Sequence, residues 1–232
     1  MSSTKKPRIA VVLSGCGVFD GAEIHESVLT LLALDRAGCL VTCFAPDVPQ
    51  LHVVDHGTGD VVPGTARNVR TESARIARGA VADVADARIE DFDAVVLPGG
   101  FGAAKNLCTF AVDGSACTVE AGTAALLGAA LDARTPIAVA CIAPAVLAAV
   151  LRDRGESAEL TIGTDDETGA ALEAMGVVHV PCSVERAVVD EERRVISTPA
   201  YMLAASIGEA AASIDAMVAS LMQMLGQPAG GR

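Results

Sequence analysis

Short apolar runs alternate with longer stretches of mixed polarity along most of the chain. The apolar runs read IAVVLSG, LVTCFAP, DAVVLPGG and PIAVA, and helical stretches such as EIHESVLTLLALDRAG separate them. This alternation is typical of parallel strands that are connected by helices. We therefore predict an α/β fold in which helices cover both faces of a mostly parallel sheet.

The same pattern sets approximate bounds for further elements. A first helix is predicted from about Ala22 to Ala37, because Gly38 suits the position after a helix end, and a last helix from about Leu203 to Leu225. LHVVDHGTGDVVPG predicts a small hairpin or an extended insertion, and RAVVD and RVIST predict two strands around an acidic turn. We expect a single domain over residues 8–225 and a disordered tail over residues 226–232.

Composition narrows the classes of partner. The net charge of -12 opposes binding to nucleic acid or an anionic membrane, and the only basic cluster in the sequence is Lys5, Lys6 and Arg8. The N-terminal apolar run is too short for a secretory signal, so we expect a cytoplasmic location. The seven cysteines form no CxxC pair and no zinc-ligand spacing with histidine, so we expect reduced thiols and no metal.

One cysteine, Cys141, lies where a buried strand turns into a helix. It follows the apolar run PIAVA, and Pro144 is placed where the first helical turn accepts a proline. A side chain at this turn stands at the carboxyl edge of the sheet, beside unpaired helical N–H groups that lower a thiol pKa. Cys141 is therefore a candidate nucleophile, although many cysteines in apolar segments are only small core residues.

Two other loops are predicted at the same edge of the sheet. SGCGVFDGAEIHE brings the acidic residues Glu23 and Glu26 and the histidine His25 to the start of the first helix, where the helix dipole alone also favours acidic residues. LPGGFGAAKNL contains Gly99 and Gly100, whose freedom allows N–H groups to turn inward as an oxyanion site requires; a plain glycine turn is the alternative.

Two further residues complete the set of candidates. The N–H of Ile142, which directly follows Cys141, is a candidate second oxyanion donor. His179, in VVHVPC, is the remaining titratable candidate in the last third of the chain, with a structural, hydrogen-bonded histidine as the alternative.

Several of these motifs occur together in one known arrangement. SGCGVFDGAEIHE, LPGGFGAAKNL, CIAPA, LTIGTD, HVPC and STPAYMLA, in this order from about Arg8 to Leu225, resemble the ElbB branch of the PfpI-type, class I glutamine amidotransferase-like superfamily. The resemblance implies a flavodoxin-like, three-layer α/β/α sandwich. It also implies a nucleophile at Cys141, a facing carboxyl group at Glu26, and oxyanion donors at the N–H groups of Gly100 and Ile142.

The chain departs from two well-known activities of that superfamily. Ile142 stands where the superfamily's proteases carry histidine, and no His-x-Glu pair follows Cys141 as it does in glutamine amidotransferases. Peptidase and amidotransferase activities are therefore not expected. His179 could serve as the missing base only if its loop folded over Cys141.

The resemblance to ElbB-like proteins implies a glyoxalase that needs no glutathione. Cys141 would attack glyoxal, Glu26 would move a proton between the two carbons, and water would release glycolate, with no metal or other cofactor. A small aldehyde as substrate and a homodimer are the expected partners. Two alternatives stay open: a redox sensor in which Cys141 becomes a sulfinate, and a metabolite-binding accessory protein, such as the isoprenoid link of the ElbB name suggests.

Overall fold

The computed structural model describes residues 6–226. Its strands are β1 (Arg8–Val12), β2 (Leu40–Ala45), β3 (Val54–Asp55), β4 (Asp60–Val61), β5 (Val81–Asp83), β6 (Ala94–Leu97), β7 (Ile137–Ala140), β8 (Glu159–Leu160), β9 (Val178–His179), β10 (Val188–Asp190) and β11 (Val195–Thr198). Its α-helices are α1 (Ile24–Arg36), α2 (Val69–Ile76), α3 (Phe110–Asp113), α4 (Ala121–Asp132), α5 (Pro144–Arg154), α6 (Asp166–Glu173) and α7 (Ile207–Gly226).

Seven of the strands form the central sheet, in the order β10-β11-β7-β6-β1-β2-β5. Every neighbouring pair is parallel except β10 and β11, which form an antiparallel pair at one edge. The middle strands β6, β7 and β11 are buried along their whole length, because helices cover both of their faces. Their carboxyl ends therefore meet along one edge of the sheet.

Helices form a layer on each side of this sheet. Helix α1 packs against α7 and α2, whereas α5 packs against α4 and α6. Side chains of α1 and side chains of α5 therefore reach the carboxyl edge from opposite faces of the sheet. The architecture confirms the predicted flavodoxin-like α/β fold, and the antiparallel pair β3–β4 confirms the predicted hairpin.

The predicted ends of two helices need correction. Helix α1 begins at Ile24, because the Glu23 side chain accepts the Glu26 N–H and so caps the helix from outside. Helix α7 begins at Ile207 because Ala200–Met202 first forms a 3₁₀ turn. Helix α7 also includes Gly226, which was predicted to open a disordered tail; residues 227–232 lie outside the described residues.

Candidate active site

Cys141 occupies a sharp turn between β7 and α5. Its φ is +60°, in the left-handed region that residues other than glycine seldom adopt, and its N–H donates to the Thr198 carbonyl at 2.9 Å. Such a strained turn between strand and helix holds a nucleophile at the top of a sheet in other α/β proteins. The structure therefore places Cys141 where the sequence predicted it.

Glu26 brings a carboxyl group to the sulfur from the opposite helical layer. Its side chain is fully buried in the first turn of α1. Oε2 accepts the Gly99 N–H at 2.9 Å, Oε1 accepts the Tyr201 N–H at 3.0 Å, and the carboxyl group lies close enough to the Cys141 thiol for each group to shift the pKa of the other. Two backbone donors thus hold the carboxyl group against the thiol.

Burial sets the protonation of this pair. Loss of solvent raises the pKa of Glu26 to about 7, although the N–H groups of Tyr201 and Gly99 oppose this shift. Burial, and then the charge of Glu26, raise the pKa of Cys141 well above its usual value. The expectation that the helix start lowers the thiol pKa is therefore wrong, because burial and the facing carboxylate outweigh the N–H groups. The resting cysteine is a thiol.

Two backbone N–H groups are directed at the same sulfur. They belong to Gly100 and Ile142, and each favours the thiolate form of Cys141 by hydrogen bonding. Gly100 has a φ of +95°, and a side chain there would meet the backbone of Gly21 and Glu23. The loop after β6 can therefore approach α1 and aim its N–H at Cys141 only because this residue is glycine.

Gly99 offers a direct test of this close packing. A Cβ at Gly99 would lie 2.7 Å from Glu26 Oε2 and against the Cβ of Cys141. We expect Gly99→Ala to lower the free energy of unfolding by about 2 kcal/mol or more, because overpacking forces buried atoms apart. Denaturant unfolding measures this change.

Gly128→Ala is the matched control for that substitution. Gly128 lies within α4, and an added Cβ would only come within 3.6 Å of the Arg154 guanidinium, which is ordinary contact. Alanine should stabilise the helix there by about 0.5–1 kcal/mol. Equal stability changes in Gly99→Ala and Gly128→Ala would contradict the packing described for the site.

A cavity of about 440 Å³ opens onto the Cys141 side chain. Most of its wall is apolar, including Phe101, Phe110 and Ile142, and Glu23 is a charged residue in the lining. A small molecule in this cavity would contact the sulfur, the donor N–H groups and a largely apolar surface. The cavity is thus large enough for a small substrate beside the nucleophile.

Tyr201 is the site residue that the sequence did not single out. It lines the cavity, donates its backbone N–H to Glu26, and its hydroxyl lies 2.8 Å from Nδ1 of His25. The signal was present in the sequence, because STPAYMLA follows a sheet strand and so reaches the carboxyl edge. His25 itself is exposed and reaches the site only through this tyrosine.

His179 is not part of the site, which corrects its place among the candidates. It lies in the short strand β9, and its ring packs against Gly169 of α6. It does not line the cavity that contains Cys141. Its loop does not fold over Cys141, because pairing of β9 with β8 holds it in a separate two-stranded sheet.

Residues 6–226 have neither a metal-ligand cluster nor a membrane-spanning helix. These residues contain no group of three or more histidine, cysteine, aspartate or glutamate side chains placed to hold a metal ion. Nor does any helix in that range combine the length and the apolar character needed to cross a bilayer.

Curated relatives cover nearly the whole chain. The chain is 44% identical over 229 residues to the human (Homo sapiens) glutamine amidotransferase-like class 1 domain-containing protein 3, mitochondrial, covering 95% of this chain and 84% of the relative. It is 42% identical to the ES1 protein homolog, mitochondrial, of Rattus norvegicus, covering 97% of this chain and 88% of the relative. No family model matches the chain.

The names of these relatives overturn one prediction. Both are named mitochondrial, so the expected cytoplasmic location is wrong. The physical reason is that a short apolar run argues only against secretion. Mitochondrial targeting segments are amphipathic and arginine-rich, and they need no apolar core.

Solved structures agree with the fold and the relationship. An isoprenoid biosynthesis protein with an amidotransferase-like domain from Ehrlichia chaffeensis superposes with a TM-score of 0.86 at 39% identity, covering 93% of this chain and 99% of that one. Drosophila melanogaster DJ-1beta matches with a TM-score of 0.50 at 18% identity over 96% of each chain, which shows a shared fold alone. The chain belongs to the glutamine amidotransferase-like family that includes the ES1 proteins.

Proposed function

We propose that the protein is a glutathione-independent glyoxalase that converts glyoxal to glycolate. One observation carries this proposal: the Glu26 carboxyl group faces the Cys141 thiol, the N–H groups of Gly100 and Ile142 favour its thiolate form, and a cavity opens onto the sulfur. A nucleophile, a group that can move its proton, and two donors for an oxyanion are the parts that aldehyde chemistry needs.

The first step forms a carbon–sulfur bond. The Glu26 carboxylate takes the proton of the Cys141 thiol, and the sulfur attacks one aldehyde carbon of glyoxal. The N–H groups of Gly100 and Ile142 stabilise the negative oxygen that develops there. Return of the proton from Glu26 to this oxygen gives a hemithioacetal. Glu26 suits both transfers because its pKa of about 7 lies near neutral pH.

The next steps move hydrogen from one carbon to the other. Glu26 removes the proton of the hemithioacetal carbon, which leaves an enediolate, and delivers it to the neighbouring carbon, while the hydroxyl proton on the first carbon passes to the oxygen of the second. The product is a thioester between Cys141 and a hydroxyacetyl group. Water then cleaves the carbon–sulfur bond, which releases glycolate and restores the thiol. The sum is glyoxal plus water giving glycolate, with no external oxidant or reductant.

Other activities of the superfamily fit the site less well. Amidotransferase chemistry in the superfamily uses a histidine and a glutamate late in the chain, and the last histidine of this sequence, His179, lies outside the cavity. The carboxyl group of Glu26 is the titratable group in contact with the sulfur. A single carboxyl group that both accepts and returns a proton suits the isomerisation of a small aldehyde adduct.

The direct test incubates the purified protein with glyoxal, without glutathione or added metal. We expect glycolate to accumulate in proportion to protein concentration, as measured by NMR or by liquid chromatography. Glycolate at the level of a protein-free sample would contradict the proposal.

The pH dependence of the reaction gives a second test. Because protonated Glu26 cannot accept the thiol proton, and its pKa is about 7, kcat/KM for glyoxal should rise as pH increases through neutrality. A profile measured from about pH 6 to about pH 8, in buffers of constant ionic strength, should show this rise. A flat or falling profile over that range would argue against Glu26 as the base.

A further inference from the structure

A second cavity lies at the opposite edge of the sheet from Cys141. It has a volume of about 400 Å³, and Arg134, Arg194, Asp93 and Pro136 are among the residues in its wall. Pro136 directly precedes strand β7, whereas Cys141 directly follows it. The two cavities are therefore separated by the length of a buried strand.

Both arginines of this cavity have an unusual backbone conformation. Arg134 has a φ of +54° and Arg194 a φ of +58°, in the left-handed region where glycine is least strained. Arg134 directly follows Ala133, the C-cap residue of α4. Glycine commonly occupies the position after a C-cap residue. Two separate turns thus place a large cationic side chain where a glycine would fit better, and both side chains reach the same cavity.

The charges of these two arginines are not balanced by acidic side chains. Within residues 6–226, neither forms an ion pair, and Nε of each is buried without a hydrogen-bond partner. Arg194 is only 7% exposed. Asp93, the acidic residue in the wall, is already paired with Arg8. The Asp93 carboxylate accepts the Arg8 backbone N–H at 2.7 Å, and Nε of Arg8 lies 3.7 Å from it.

The two arginines also act on each other. Burial, and then the positive charge of Arg134, lower the pKa of Arg194. Buried cations are normally paired, and like charges held together raise the free energy of the fold. This arrangement occurs in a chain whose net charge is -12, where acidic partners are abundant.

Capping of the carboxyl end of α7 uses only one of the N–H donors of Arg194. One terminal nitrogen of Arg194 donates to the Met224 carbonyl at 3.0 Å, near the end of α7. A guanidinium has five N–H donors, so most of those of Arg194 stay available. Arg134 donates no side-chain hydrogen bond to any residue in the described range. Capping therefore does not explain why both arginines face the cavity.

We propose that this cavity binds a phosphate group between Arg134 and Arg194. Two guanidinium groups present planar sets of donors that match the oxygens of phosphate, and their two uncompensated charges match a dianion. A bound phosphate would supply acceptors to the free donors and would remove the repulsion between the two cations. The ligand is either free phosphate or a small phosphate ester.

Isothermal titration with inorganic phosphate, at an ionic strength held constant with chloride, tests this site. Arg134→Gly is the informative variant, because glycine removes the guanidinium and also relieves the positive φ, so the fold should not lose stability. We expect it to weaken phosphate binding about tenfold or more, since charge-assisted hydrogen bonds are lost. Thermal unfolding should show no decrease in stability.

Arg78→Gly is the matched control. Arg78 also has a positive φ, +55°, but it is exposed, near the end of α2 and outside the cavity. Its replacement should leave phosphate affinity within about twofold of the original protein. Equal weakening in both variants, or no phosphate binding by the original protein, would overturn the proposal.

A third titration separates the two sources of the phosphate group. Phenyl phosphate carries the same group on an apolar substituent. Tighter binding of phenyl phosphate than of inorganic phosphate, lost in Arg134→Gly, would support a phosphate ester as the ligand. Tighter binding of inorganic phosphate would support the free ion. Phenyl phosphate binding that Arg134→Gly leaves unchanged would place that ligand elsewhere and overturn the proposal.

Discussion

Replacement of Cys141 by serine is expected to reduce glycolate formation from glyoxal to the rate of a protein-free sample. A serine hydroxyl has a far higher pKa than a thiol, and the Glu26 carboxylate, whose conjugate acid has a pKa of about 7, cannot remove its proton to a useful extent. The side chains have similar size, so the serine should fit the same strained turn. NMR of the glycolate signal measures the loss.

Two other cysteines provide controls for this substitution. Cys16 is partly exposed, Cys182 is buried beside its neighbour Ser183, and neither lines the cavity. Cys16→Ser and Cys182→Ser should each retain most of the activity. Similar losses in all three variants would indicate damage to the fold, and full activity of Cys141→Ser would refute the proposed nucleophile.

The central strands were predictable because their physical requirements are local. Strands β6 and β7 must be apolar on both faces, since helices cover both, and the runs DAVVLPGG and PIAVA meet that requirement without reference to any distant residue. Strand β5 is only three residues long and partly exposed, so it contains no comparable apolar run from which it could be predicted. Its pairing with β2 depends on the tertiary structure.

The turn at Cys141 was predictable for the same local reason, but its surroundings were not. The sequence alone leaves Glu26 equally well explained as an acidic residue at a helix start, and the resemblance to a known family supplied its pairing with Cys141. The direction of the thiol pKa shift could not be predicted, because it depends on how completely water is excluded. Burial reversed the effect expected from the helix start.

Tyr201 and the arginine pair required the folded structure. Tyr201 reaches Glu26 because a 3₁₀ turn follows β11, and Ala200 in that turn has a φ of +43°. Arg134 and Arg194 are far apart in the sequence, so a search for clusters of basic residues along the chain misses them. The parallel pairing of β7 with β11 brings both sets together, the two arginines just before these strands begin and Tyr201 with Cys141 just after they end.

Glu26→Gln is expected to lower glycolate formation by a factor of about 100 or more, the typical contribution of a general acid or base. The amide can neither accept the thiol proton nor deliver one to the second carbon. Addition of the Cys141 thiol to glyoxal needs no net proton transfer through Glu26 at equilibrium, so the hemithioacetal should still form. Carbon-13-labelled glyoxal allows the adduct and the glycolate to be followed in the same NMR experiment.

The stability of this variant follows from the two hydrogen bonds of Glu26. Both carboxyl oxygens accept a backbone N–H, from Gly99 and Tyr201, whereas glutamine has one oxygen and must turn its NH₂ group toward one of these donors. This should cost about 1–3 kcal/mol. Glu72→Gln, at a buried acid of α2 outside the site, controls for such a loss and should keep its activity.

The pH dependence of stability identifies the charge that glutamine removes. The pKa of Glu26 is raised on folding from 4.5 to about 7, so the folded protein binds the proton more tightly and loses stability as pH rises between these values. Glu26→Gln lacks this loss. Its deficit in the free energy of unfolding should therefore shrink as pH increases toward neutrality, and a constant deficit would contradict a buried, titrating carboxyl group.

The same variant distinguishes an enzyme from a redox sensor. A sensor needs Glu26 only to donate a hydrogen bond to the oxidised sulfur of Cys141, and the glutamine NH₂ group can still donate one. Peroxide-driven sulfinate formation, measured by mass spectrometry, would then be the property that changes, while any glycolate formation stayed the same. An enzyme needs the proton transfer itself, so glycolate formation must fall even where Cys141 still forms its adduct. Unchanged glycolate formation by a folded Glu26→Gln protein would therefore remove the carboxyl group from the mechanism.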